Sequence, residues 1–97
     1  MARNQKLTAV LRGRSIVDVA HRDATARVRF DDGSVMTVRT DGTPPADVQH
    51  APVRAVRQRD TILQLDLDPE GTVTFHTAEP TASVMVRDRK GTMEYAD

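Results

Sequence analysis

From position 16 onward, apolar side chains recur at every second residue, the period of a strand that buries one face. The alternation predicts strands over Ile16–His21, Thr25–Phe30 and Val35–Thr40. After a break it predicts Val53–Gln58, Ile62–Leu67 and Val73–Thr77, then a last hairpin of Val84–Arg87 and Met93–Tyr95. Only Asn4–Arg12 has helical spacing, through Leu7, Val10 and Leu11, with Gly13 as a stop. A helix this short persists only when packed against a sheet.

Turn residues set the register. A two-residue Asp-Gly turn within Asp31-Asp32-Gly33 would pair Phe30 with Val35 and Val28 with Thr37. A three-residue loop with Gly33 left-handed pairs Phe30 with Ser34, Val28 with Met36 and Ala26 with Val38. The second choice is preferred because it gathers the apolar side chains on one face. Asp68-Pro69-Glu70-Gly71 reads as a type I turn followed by a left-handed glycine, setting Leu67 against Val73, Leu65 against Phe75 and Leu63 against Thr77. Asp88-Arg89-Lys90-Gly91 is a third turn of this kind.

The strand sets also resemble each other. Val19–Asp23 aligns with Val56–Asp60, Val28 with Leu65 and Phe30 with Leu67. One inserted residue then brings Gly33 onto Gly71, Val35 onto Val73 and Thr37 onto Phe75. Neither set is large enough to bury its apolar face alone, so the two are expected to share one core. The expectation is an all-β chain of about eight short strands in meander hairpins, built on a pseudo-duplicated three-strand unit. It forms a small barrel or two packed antiparallel sheets, with a short N-terminal helix or arm. Residues 1–97 read as a single β domain. Its parts are a basic arm or helix (1–14), a first unit (15–40), a Pro-rich loop (41–52), a second unit (53–79) and a C-terminal hairpin (83–96). Val28, Phe30, Leu63, Leu65, Leu67, Val73 and Phe75 are its expected core.

Charge adds an asymmetry. Fourteen bases balance fourteen acids, yet Arg3, Lys6, Arg12 and Arg14 give the first fourteen residues four positive charges and no acid. The simpler reading of that arm is a solvated terminus; the sharper one is affinity for a polyanion. Arginine supplies twelve of the bases and aspartate eleven of the acids, a bias suited to strands and turns that also hints at a GC-rich bacterial source. No apolar run has the length of a signal peptide or a membrane span, so the cytoplasm is the expected location.

Candidate chemistry is sparse. Zero cysteines excludes disulfides, thiolate metal sites and a thiol nucleophile. Asp66, Asp68, Glu70 and Gly71 imitate the start of a calcium loop, but Thr77 stands where its bidentate glutamate belongs. These aspartates are expected to point into solvent. His21, His50 and His76 lack ligand spacing, and Ser15, Ser34 and Ser83 lack a nucleophile setting. No cofactor, metal or catalytic residue is assigned, and enzyme activity is not favoured.

Two surfaces stand out instead. Arg27 and Arg29 face outward if Val28 and Phe30 face inward, and Arg39 follows on the next strand. Such a face could track phosphates, although the stacking aromatics of single-strand binders are missing and neighbouring aspartates favour ordinary surface pairing. The last hairpin is apolar on both alternations. Met85 and Tyr95 are therefore candidates for a protein contact or for self-association about a two-fold axis. The first expectation is a non-enzymatic protein-interaction or assembly module. The alternatives are a nucleic-acid-binding barrel using the arginine face and, third, an enzyme assembled around His76 and the acidic turn. No membrane partner is expected.

Overall fold

In the computed structural model, which describes residues 2–97, nine strands and one helix follow the order β1 (Ala2–Arg3), α1 (Gln5–Leu11), β2 (Ile16–Arg22), β3 (Thr25–Phe30), β4 (Val35–Arg39), β5 (Val53–Arg59), β6 (Ile62–Leu67), β7 (Thr72–His76), β8 (Val84–Arg87) and β9 (Met93–Ala96). Met1, the first residue of the basic arm, lies outside the described residues. The strands form two antiparallel sheets, ordered β1-β5-β6-β7 and β2-β3-β4-β8-β9. Two packed sheets, not one closed barrel, are therefore the architecture. No described helix is long and apolar enough to cross a membrane.

One cluster of buried side chains joins the inner faces of both sheets, and every expected core residue is at most 2% exposed. Val28, Phe30, Met36 and Val38 enter from one sheet, and Leu63, Leu65, Leu67, Val73 and Phe75 from the other. Leu7 and Leu11 of α1 are fully buried beside them, each contributing roughly 1.5–3 kcal/mol before entropy is subtracted. The helix starts where Asn4 caps it, its Oδ1 accepting the Leu7 N–H at 3.0 Å.

The β3–β4 hairpin adopts the three-residue loop: Phe30 N–H donates to Ser34 C=O at 3.0 Å, and Val28 pairs with Met36 and Ala26 with Val38. Gly33 takes φ +86°, as that loop requires. The hairpin around Pro69 differs from expectation. Leu67 N–H donates to Gly71 C=O at 2.9 Å, so Leu65 pairs with Val73 and Leu63 with Phe75, two residues tighter than the type I reading. A shift of two leaves every side chain on the same face, which is why the burial expectation survives.

That tighter turn also corrects the alignment of the two meanders. Without any inserted residue, β2-β3-β4 and β5-β6-β7 pair alike at a constant offset of 37 positions. Val19 faces Val28 as Val56 faces Leu65, and Val28 faces Met36 as Leu65 faces Val73. Met36 and Val38, not Val35 and Thr37, thus match Val73 and Phe75. Both meanders turn on a left-handed aspartate, Asp23 and Asp60, and both bulge at the start, after Ile16 and Val53. Where they meet, matching residues bridge each other: Ser15 with Pro52, and Thr40 with Thr77. The flanking bonds match as well, Asp41 N–H to His76 C=O (3.0 Å) corresponding to Ala78 N–H to Arg39 C=O (2.9 Å).

The basic arm is not free. β1 pairs with β5, placing Ala2 against Gln58 and Arg3 against Arg57. Arg14 grips Glu94 through both terminal guanidinium nitrogens at 2.8 and 2.7 Å, and its Nε lies 3.1 Å from Asp32. The bond to Glu94 raises the Arg14 pKa against the opposing pull of burial. The fork ties the arm to the last hairpin.

Candidate interaction face

Pairing decides what each sheet shows to solvent. On the five-stranded sheet, Asp18, Ala20 and Arg22 of β2 line up with Arg29, Arg27 and Thr25 of β3. Thr25 and Arg27 in turn oppose Arg39 and Thr37 of β4. β8 continues the row with Met85 beside Thr37 and Arg87 beside Val35. The outward face of these four strands therefore carries five arginines (Arg22, Arg27, Arg29, Arg39 and Arg87) against one strand carboxylate, Asp18. Arg29 stands 3.7 Å from that carboxylate, both side chains being more than half exposed, so the pair is worth at most about 1 kcal/mol. Arg22, Arg27 and Arg39 form no ion pair among the described residues. The Arg87 guanidinium donates to the Gly91 carbonyl at 2.9 Å. Surface pairing thus accounts for Arg29 and leaves most of the face unneutralised.

Beside the arginines the face turns apolar. An open cleft of about 310 Å³ is lined by Thr37, Arg39, Val84, Met85 and Ala96, with Asp97 as an acidic residue in its wall. Arg39 borders both regions. Arg27, Arg29, Arg39 and Met85 consequently share one surface, which sequence treated as two.

Tyr95 does not join it. Val86 pairs with Tyr95 and Met85 with Ala96, so Met85 and Tyr95 project from opposite faces of the sheet. The Tyr95 ring packs half-buried against the core, and its hydroxyl accepts from Asn4 Nδ2 at 3.0 Å. Burial pushes the phenol pKa up, with the Asn4 bond opposing. Met85 and Tyr95 therefore do not share one face of the last hairpin.

The acidic hairpin also differs from expectation. Asp66 is 8% exposed, not solvated, and accepts from Arg57 Nε and an Arg57 terminal nitrogen at 2.7 Å each. Thr72 adds a third bond at 3.0 Å. The Arg57 bond holds the Asp66 carboxyl below its usual value, outweighing burial, with Thr72 and Arg54 assisting. β7 separates this turn from His76, which stands at the far end of the strand, about 16 Å away at ordinary strand rise. The structure does not bring the two together. His21 Nε2 lies 3.0 Å from Thr40 Oγ1, and His50 sits exposed in the proline loop. Among the described residues, no three of His, Asp and Glu are placed to share a metal ion. Ser83 Oγ is buried and donates to the Glu79 carbonyl at 3.0 Å.

In comparisons with known proteins, no family model matches the chain, and no curated protein or solved structure matches it either.

Proposed function

We propose that this protein is a non-enzymatic binding module. Its outward five-stranded face takes a protein segment carrying both carboxylates and apolar side chains. The observation that carries this reading is one surface on which Arg27 and Arg39, without ion-pair partners among the described residues, border the apolar cleft at Met85. An isolated arginine on water is ordinary; several unneutralised guanidiniums beside an apolar depression suit a ligand that offers both chemistries at once. Phe30 and Phe75 are buried and Tyr95 projects to the other side, so the face offers no ring for a base to stack on. That favours an acidic protein segment over a nucleic-acid strand. The constant 37-position offset supports reading the two meanders as copies of one unit, with the last hairpin added to the copy that binds.

The test is a titration with a labelled peptide of alternating glutamate and leucine, set beside mixed-sequence DNA. Binding to the peptide should weaken about tenfold in Arg39→Ala and in Met85→Asp, and should fall with salt. Peptide binding indifferent to both substitutions would refute the proposal. DNA binding tighter than peptide binding, and unmoved by Met85→Asp, would replace it with the nucleic-acid reading.

A further inference from the structure

The four outer edges of the two meanders are treated unequally. β5 is sealed: Val56 N–H donates to Thr8 Oγ1 at 2.9 Å, and Val56 C=O accepts from Asn4 N–H at 2.8 Å. β4 is paired by β8. β7 meets the proline loop, where Ala46 and Thr74 exchange bonds of 3.0 and 3.1 Å. Along β2, Ile16 N–H at the very start donates to the Ala51 carbonyl at 3.0 Å, and beyond it, among the described residues, no strand or loop is bonded to this edge. Val19 occupies on β2 the place of Val56 on β5. Arg22 and Thr25 close a two-residue hairpin, so alternation turns the N–H and C=O groups of Val19 and His21 away from β3. They point to solvent as a ready template for another strand.

We infer that this edge pairs antiparallel with the β2 edge of a second copy of the chain, about a two-fold axis through Ala20. The inference does not require the binding face proposed above: it uses the backbone groups at the rim of the sheet together with Asp18 and Arg22 at the border of that face.

Charge selects both the occupant and the register. Edges guarded by one sign of charge repel copies of themselves. β2 instead exposes Asp18 and Arg22, opposite charges at equal distances on either side of Ala20. Under a two-fold axis at Ala20, Asp18 of each copy faces Arg22 of the other, twice over. Centred on Val19, Asp18 would face Ala20; centred on His21, it would face Ala24. Only the Ala20 register matches the charges. It also gives the Val19 and His21 backbone groups to each other and leaves Ala20 against Ala20 in the close, non-bonded pairing, where a small side chain fits. Asp18 then lies between its own Arg29 and the arriving Arg22. The two Arg27 side chains stay about 14 Å apart, three strand spacings. Dimerisation on this edge would join the five-stranded sheets into one of ten.

Sedimentation of the whole protein from about 1 µM to about 1 mM spans the range in which so small a contact assembles. A concentration-dependent dimer is expected, with the Val19 amide gaining protection from hydrogen exchange as the dimer forms. Ala20→Lys sets like charges opposite each other across the two-fold axis, so it should raise the dissociation constant at least about tenfold; with Arg27 beside residue 20 on β3 it should lower the melting temperature by only a few degrees, the circular dichroism of the folded chain being kept. Asp18→Arg and Arg22→Asp should each weaken the dimer, and their combination should restore it. A wild-type chain monomeric at about 1 mM, or a dimer untouched by Ala20→Lys, overturns the inference. Single reversals that weaken the dimer without rescue in combination overturn its register. Peptide binding measured on the wild-type chain at concentrations where sedimentation shows only monomer separates this outcome from failure of the binding face.

Discussion

Replacing Thr8 with valine tests how the helix holds the β5 edge. The Thr8 hydroxyl is 7% exposed, accepts the Val56 N–H at 2.9 Å and lies 3.3 Å from the Val56 carbonyl. Valine keeps the shape and the helix propensity, so packing and backbone entropy change little. What it removes is the one acceptor that the Val56 N–H has among the described residues. That carbonyl still accepts from Asn4, so the loss falls on the N–H. An unsatisfied buried donor costs about 1–3 kcal/mol. For a chain of this length, with unfolding entropy near 2.1 cal/mol/K per residue, about 2 kcal/mol lowers Tm by about 10 °C. Thr8→Ser keeps the acceptor and loses one methyl group, roughly 0.8 kcal/mol. Urea unfolding followed by circular dichroism should therefore rank wild type above Thr8→Ser above Thr8→Val, with exchange of the Val56 amide fastest in the valine variant. Thr8→Val within about 0.5 kcal/mol of wild type, or less damaging than Thr8→Ser, would refute the argument.

Three further outcomes follow from the same geometry. Asp66 is depressed on folding, so its contribution is complete above its ordinary value of 3.8 and is lost as pH falls through the lower folded value. Asp66→Asn should cost about 1–2 kcal/mol at neutral pH, discounted for the exposure of Arg57, and should flatten the acid limb of a stability–pH profile. Leu65→Ala removes a fully buried side chain lying between Val56 and Val73, so its urea midpoint should report a loss of about 2–5 kcal/mol. At Gly33, with φ +86°, an added Cβ would stand 2.8 Å from the Arg89 Cβ; Gly33→Ala should cost about 1–3 kcal/mol by the same measurement, whereas Gly33→Asn should cost less because asparagine tolerates that backbone better.

The strands were legible because alternation is dictated by burial: Val28 with Phe30, and Leu63 with Leu65 and Leu67, can sit on one face only if each segment is extended. Other features lay beyond that signal. β1 is two residues long and has no period to read. The hairpin after Leu67 slips by two residues without moving a side chain across the sheet, so hydrophobic pattern could not choose its register. Asp66 looked like a solvated turn residue because its partner, Arg57, reaches it across a different hairpin. Met85 and Tyr95 looked equivalent until Met85 was found opposite Ala96, an odd step that sends the two side chains to opposite faces. Arg27, Arg29 and Arg39 were found from strand parity alone, while their continuity with Met85 required the β4–β8 pairing, which no local pattern encodes.

The bridges Ser15–Pro52 and Thr40–Thr77 have a consequence for how the chain acquires its shape. Each half also closes on itself, Asp31 N–H donating to the Ser15 carbonyl and Asp68 N–H to the Pro52 carbonyl at 2.9 Å, but the bridges that hold the two halves to each other join partners 37 residues apart. Such closure gives up chain entropy before it gains contacts, which slows folding relative to a helical chain of equal length. On the ribosome, residues 15–40 emerge long before Thr77, and their greasy side must wait, uncovered, for the second half to arrive. Maturation of this protein is consequently a late, all-or-none event.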